Sequence, residues 1–351
     1  MGWRGFWGTT IGAAVGLGAA IYALLLVIDP YDTVFFSPPF DRAPVTTNQR
    51  FSFPALAREQ RFDSAVIGTS TARLLDPARL NEFLGGSFVN LSMNSGTAYE
   101  QSQIFKVFVR HHPRPRAVVF GIDVVWCEVI ETYEKFTPRP FPTWMYDDDP
   151  WNDLVHLFNL PALEEMARQF AYLTGIRGQK YGKDGFTDFL PPIEAYDLEK
   201  ARRHLYDGRP PHLKALVAEP FDPAPAVRAA WPFATHPLMA EMLRALPDDT
   251  VKVLMFVPYH HFHQPAPGSQ QDAYWTECKR RLAKLAAGFR NAHVLDFMIH
   301  SEITLRDRNY WDPLHFNRTT ATRLIALIAR AVETRRGSDG RFRYLTPDGA
   351  R

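Results

Sequence analysis

The sequence predicts an α/β fold: a three-layer sandwich around a central parallel sheet, with an N-terminal transmembrane helix and a largely helical or irregular insertion. Three observations predict it. Short apolar runs recur at 64–67, 88–91, 117–122, 251–257 and 293–297, and strands buried on both faces read this way. Between them lie stretches with apolar residues at helical spacing, such as Ile104, Val107 and Phe108 within 99–111. Strands that alternate with helices argue a parallel sheet covered on both sides. The third observation is Phe6 to Ile28, which contains no charged residue and is long enough to cross a bilayer.

Arg4 precedes that run, whereas Asp29 and Asp32 follow it. The positive-inside bias then leaves residues 1–5 in the cytoplasm and the remainder outside, making a single-pass inner-membrane protein with a periplasmic domain. A cleaved signal peptide is the competing reading, but Leu24-Leu25-Leu26-Val27-Ile28 offers no small-residue cleavage site before the polar flank. Residues 6–28 are therefore read as an uncleaved anchor. Gly12 and Gly16 form a G-x-x-x-G that chance explains in so Gly/Ala-rich a segment. Residues 29–62, with Ser37-Pro38-Pro39-Phe40 as a stiff piece, read as a linker or collar.

The main domain spans 63–335. Its first strand, Ser64–Ile67, meets Gly68-Thr69-Ser70-Thr71, where a helix opens. A helix over 77–83 and the break at Gly85-Gly86 lead to Phe88–Leu91, then the loop Ser92-Met93-Asn94-Ser95-Gly96-Thr97 and a helix over 99–111. The third strand, from Ala117, ends at Asp123. Residues 133–247 form an insertion punctuated by Pro-rich stretches and by Asp147-Asp148-Asp149, with helices over 160–173 and 197–205. The acidic triple is read as a solvated loop over a cation site, and the insertion as part of a substrate cleft. After a helix near 237–246, the strand 251–257 ends at Pro258-Tyr259-His260-His261-Phe262-His263. Ligands of open α/β sheets bind beyond strand carboxyl ends. These histidines suit a metal, a sugar or a wet loop, and with no nearby Cys or acidic partner His260 and His261 are assigned to a substrate loop. A helix over 274–289 and the strand 293–297 complete the sheet. Residues 336–351 read as a loose polar tail.

At 351 residues the chain has room for one core plus an insertion. A net charge of +2 without a basic stripe argues against nucleic acid. Cys127 and Cys278 match no metal spacing and are read as two separate core thiols. No cofactor is expected.

The chemistry-bearing residues converge on two places. Ser70 stands at a strand-to-helix turn, where unpaired backbone N–H groups suit a nucleophile that generates an oxyanion; as a plain N-cap it would need no catalytic role. Far away, Tyr310-Trp311-Asp312-Pro313-Leu314-His315-Phe316-Asn317 brings a carboxylate and an imidazole onto one loop just before a final helix over 321–332. A serine after the first strand and Asp-x-x-His before the last helix together resemble the SGNH/GDSL hydrolase superfamily. The resemblance covers 63–132 and 248–335. It implies a Ser70, His315, Asp312 triad, with the Ser70 and Gly96 N–H groups in the oxyanion hole; a simple turn is the equal alternative for Gly96. Where the family carries an asparagine donor, this chain has Asp123, whose carboxylate only accepts hydrogen bonds. Either Asn94 or another donor then completes the hole, or Asp123 binds a cation such as Arg73, or the enzyme is slow or inert. Arg73 is placed to meet Asp123 or an anionic substrate, with a solvated surface arginine as the plain alternative. The resemblance implies an esterase or O-acyltransferase acting on acyl groups of cell-surface or secreted polysaccharide. Its partners would be an acylated glycan or acyl donor, the bacterial inner membrane and a membrane-bound acyltransferase. The alternative is a non-catalytic scaffold in an envelope-assembly complex.

Overall fold

The structure is a computed structural model describing residues 2–350. The chain divides into two compact units. One comprises the described residues up to Ala55 together with Phe141–Lys183; the other comprises Leu56–Pro140 together with the described residues from Asp184 onward. The expected insertion is thus split: residues 141–183 fall in the first unit, and 133–140 and 184–247 fall in the second.

The elements in chain order are α1 (Trp3–Ile28), α2 (Gln49–Arg58), β1 (Ser64–Ile67), α3 (Pro77–Leu84), β2 (Phe88–Asn90), α4 (Ala98–His111), β3 (Ala117–Ile122) and α5 (Val124–Cys127). They continue with α6 (Pro150–His156), α7 (Leu160–Leu173), α8 (Leu198–Tyr206), α9 (Pro225–Ala230), α10 (His236–Arg244), β4 (Val251–Phe256), α11 (Gln270–Ala286), β5 (Ala292–Asp296), α12 (Arg318–Thr334), β6 (Arg343–Thr346) and β7 (Gly349–Ala350).

In the first unit, α1 carries no charged residue after Arg4 and ends at Asp29 in the left-handed region. Arg42 closes that end by donating from Nε to the Ile28 carbonyl at 2.9 Å and from Nη1 to Asp32 at 3.1 Å, a cation where the helix dipole favours one. The acidic triple caps a helix: Asp149 accepts from the Trp151 N–H, and Pro150 occupies the first helical position. Part of the expected linker is helical: α2 runs through the unit boundary at Ala55, with Phe53, Leu56 and Ala57 to bury.

The second unit holds the sheet, ordered β2-β1-β3-β4-β5-β6-β7. The first five strands run parallel, in register Val66↔Asn90, Val66↔Val119, Val119↔Val253 and Val253↔His293. Helices lie on both sides: α3 and α12 on one, α4, α10 and α11 on the other. Alternate strand residues explain this. Val66, Val119, Val253 and Leu295 join Leu80 of α3 and Leu324, Ile325 and Ile328 of α12 in one buried cluster. The tail expected to be loose is instead the antiparallel edge: β6 pairs with β5 as Asp296↔Arg343 and Leu295↔Tyr344. Phe342 and Tyr344 are buried, with Phe342 stacked on Phe297 at 4.7 Å. Arginines alternate with those two rings, so the segment is polar on average yet carries a half-buried strand pattern.

The two cysteines are also corrected. Cys127 and Cys278 form a disulfide, which ties α5 to α11.

Candidate active site

The chain turns to opposite sides after β1: β2 pairs on one flank and β3 on the other. Such a switch point opens a crevice at the strands' carboxyl ends. Ser70 follows β1 into this crevice and Asp123 follows β3.

Two glycines set the height of the Ser70 turn. A Cβ on Gly68 or on Gly121 would each meet the Ala72 Cβ at 2.6 Å, so the turn rests directly on β3. The turn continues as a single 3₁₀ turn, Ala72–Leu74, not as the helix expected at Thr71. Asn90 holds it there from the end of β2. Its buried amide nitrogen lies 3.1, 3.3 and 2.9 Å from the carbonyls of Ala72, Arg73 and Leu75, acceptors that a short 3₁₀ turn would otherwise leave unsatisfied. Nothing in Phe88-Val89-Asn90 flags this role except a polar residue closing an apolar strand.

The loop before α12 supplies the other half of the site. Tyr310 and Phe316, both fully buried, bridge across its base. Between them Asp312 Oδ1 accepts from the N–H groups of Leu314 at 2.9 Å and His315 at 3.0 Å, the Asx turn that an Asp-Pro start favours. The same carboxylate meets His315 Nδ1 at 2.8 Å, and His315 Nε2 lies 2.9 Å from Ser70 Oγ. Burial alone would raise Asp312; the bond and charge of His315, with the two backbone N–H groups, outweigh it and hold the carboxyl below its ordinary value. An ionised Asp312 only accepts, so Nδ1 carries the proton. Nε2 is then the acceptor of the Ser70 hydroxyl, the arrangement that activates a nucleophile.

No protein-family model, no curated protein and no solved structure matches the chain.

The Gly96 N–H donates to the Met93 carbonyl at 3.1 Å, closing a turn, so it is not directed at an oxyanion. Asn94 does stand beside the site, with its Oδ1 accepting from Arg73 Nη1 at 2.5 Å. Arg73 is buried and does not pair with Asp123; its guanidinium lies under the Phe189 ring at 4.3 Å. Asp123 is buried too, accepting from the Thr69 hydroxyl. Among the described residues no backbone acceptor engages the Ser70 N–H.

His260 and His261, expected on a substrate loop, are buried. Asp307 Oδ1 accepts from Tyr206 at 2.8 Å and from His260 Nε2 at 3.1 Å, while Oδ2 accepts from Arg202 at 2.8 Å. Desolvation, then the neighbouring His261, pushes His260 down to about 4, so it stays neutral. His260, His261 and Asp307 offer three ligand atoms within 4.8 Å of one another, yet Asp307 already satisfies a guanidinium, a phenol and an imidazole. The cluster acts as support: the His260 N–H donates to the Pro313 carbonyl at 2.9 Å, and Tyr310 donates to the Pro258 carbonyl at 3.0 Å. Both bonds brace the Asp312 loop.

The sequence carries no signal for Phe189. Its ring stands edge-on to His315 at 5.1 Å and 88°, shielding one side of the imidazole from water. The chain reaches that position because Asp184 accepts the Asn90 N–H at 2.8 Å and Gly185, with φ +79°, passes tightly over β2. A Cβ there would meet the Asn90 carbonyl oxygen at 2.1 Å. Inside a Pro-rich stretch no periodicity marks such a residue.

Asp123 has a measurable consequence. Burial, opposed by the Thr69 hydroxyl, raises it from 3.8 to about 6. Between those values the folded protein retains a proton that the unfolded chain has released, so stability falls as pH rises through that window. The full loss is on the order of 3 kcal/mol. Asp123→Asn should therefore raise the unfolding midpoint in detergent at pH 8 and change it little at pH 4. An equal gain at both values would show that the carboxylate carries no such cost.

Proposed function

We propose that the chain is a membrane-anchored, extracytoplasmic serine esterase or O-acyltransferase of SGNH-like architecture. The observation that carries this reading is the relay Ser70 Oγ, His315 Nε2 and Nδ1, Asp312, with both contacts within 2.9 Å, at the carboxyl end of a parallel sheet. The chemistry follows from the proton positions. Ser70 Oγ forms a bond to the acyl carbonyl carbon as its proton passes to His315 Nε2, and the carbonyl electron pair moves onto oxygen. Collapse breaks the bond to the departing alcohol, which takes the proton back from Nε2 and leaves an acyl-serine. A second hydroxyl then repeats the sequence: water gives hydrolysis, and a sugar hydroxyl gives transfer. The oxyanion donors are the Ser70 N–H and the Asn94 side-chain amide; the Gly96 N–H is excluded by its turn.

The compartment reading rests on three features. Helix α1 is long and apolar enough to cross a membrane, Arg4 precedes it while Asp29 and Asp32 follow it, and the Cys127–Cys278 disulfide belongs to an oxidising compartment such as the bacterial periplasm. Acyl (acetyl) groups of cell-surface or secreted polysaccharide are the substrate class that the resemblance and this topology support together, with a membrane-bound acyltransferase as the source of acyl groups.

A second reading, a non-catalytic SGNH-like scaffold, is favoured by Asp123 in the donor position and by the committed Gly96 N–H. A fluorophosphonate probe on the detergent-solubilised full chain separates the two. Labelling that disappears in Ser70→Ala supports the enzyme, whereas folded protein with an intact disulfide and no labelling supports the scaffold.

A further inference from the structure

We propose that α6 and the turn after α1 form a collar seated in the outer-leaflet interface of the bilayer, so that the first unit is membrane-embedded beyond the spanning helix α1. This rests on α1 crossing the membrane.

The argument starts from length. Helix α1 has 26 residues, roughly 39 Å at 1.5 Å per residue, against a hydrocarbon core of about 30 Å that takes about 20 residues to cross. Trp3, Phe6 and Trp7 pack together at its start, the aromatic anchoring expected at one interface. Counting about 20 residues from Trp3 puts the other interface near Tyr22, one and a half turns or more before the helix ends.

At that level the rest of the unit meets α1. The Tyr22 hydroxyl donates to the Leu154 carbonyl of α6 at 2.9 Å, and the Phe158 ring stands edge-on to Tyr22 at 5.7 Å. The side chains that surround this contact are apolar and exposed. Trp151 is 64 % and Val155 77 % exposed, four residues apart and so on one face of α6. Phe35 stacks its edge on Trp151 at 5.1 Å and on Phe36 at 5.0 Å, and Leu160 at the start of α7 is exposed as well. An exposed apolar patch of this kind marks a docking surface. Its occupant follows from continuity: the patch adjoins the helix at the depth where lipid headgroups begin, and its Trp, Tyr and Phe are the residues that favour that boundary.

The test uses the full chain in phosphatidylethanolamine/phosphatidylglycerol vesicles, with bimane attached to Val15→Cys or Val155→Cys; the native cysteines are paired and do not react. Both positions are exposed, so both variants should keep the wild-type unfolding midpoint. Lipids brominated near the headgroup should quench the Val155 label more than lipids brominated deep in the chain, the Val15 label should show the reverse order, and aqueous iodide should reach neither. A quenched Val15 label beside an iodide-accessible, lipid-insensitive Val155 label overturns the collar and leaves the anchor standing. A Val15 label that lipid bromine does not quench overturns the anchor and the collar with it.

Discussion

Asp312→Asn is expected to lower acyl-ester turnover about 10⁴-fold while leaving the fold intact. Asparagine's Oδ1 keeps the Asx turn, because it accepts from the Leu314 and His315 N–H groups as the carboxylate does. Its NH₂ then faces His315 Nδ1, which must become an acceptor. The ring proton moves to Nε2, and that nitrogen no longer accepts from Ser70 Oγ. Hydrolysis of p-nitrophenyl acetate and the rate of fluorophosphonate labelling should fall together, with the unfolding midpoint close to wild type. Asp312→Ala, which loses the turn acceptor as well, should be both inactive and less stable. An Asp312→Asn protein that turns over normally would remove the relay from the mechanism.

The largest stability effect is expected at the disulfide. Cys127 and Cys278 are 151 residues apart, and cross-linking so long a segment restricts the unfolded chain by between about 2 and 5 kcal/mol. The double substitution Cys127→Ser/Cys278→Ser should therefore lower the denaturant midpoint markedly, and reduction of the wild type should reproduce the loss. Helix α5 follows Asp123 directly, so loosening it also frees the carboxyl group that holds the Thr69 hydroxyl next to Ser70. Alkylation of unfolded protein from membranes should find both thiols protected before reduction and reactive after it. Free thiols in that material would place the domain in a reducing compartment, contrary to the proposed topology.

Several elements were legible because their signals are local. The strands betray themselves as apolar runs with abrupt stops, and the helices between them as repeats near four residues. Asp312 and His315 sit three apart with a proline between them, which already brings carboxylate and imidazole onto one loop. The segment 336–351 reads as loose because its arginines mask an alternation of only two buried rings, Phe342 and Tyr344. The cysteines read as separate thiols because pairing depends on how α5 and α11 cross, which no spacing encodes.

The site shows the same division. Ser70 and His315 are 245 residues apart, and their chemistry could be named from the two junctions where they stand; the chain order of strands then dictates that these junctions share one end of the sheet. Which donor faces which acceptor was decided only in three dimensions. Asp123 turned to Thr69 instead of Arg73, Gly96 closed its own turn, and His260 and His261 sank beneath the Asp312 loop to join Asp307. Phe189 arrived at His315 along a path that only Gly185 can follow over Asn90. The physical reason is one of range: periodicity, capping and turn chemistry act over a few residues and are written in the order of side chains. A buried polar group instead takes whichever partner the packed core brings within 3 Å, and that choice belongs to the whole fold.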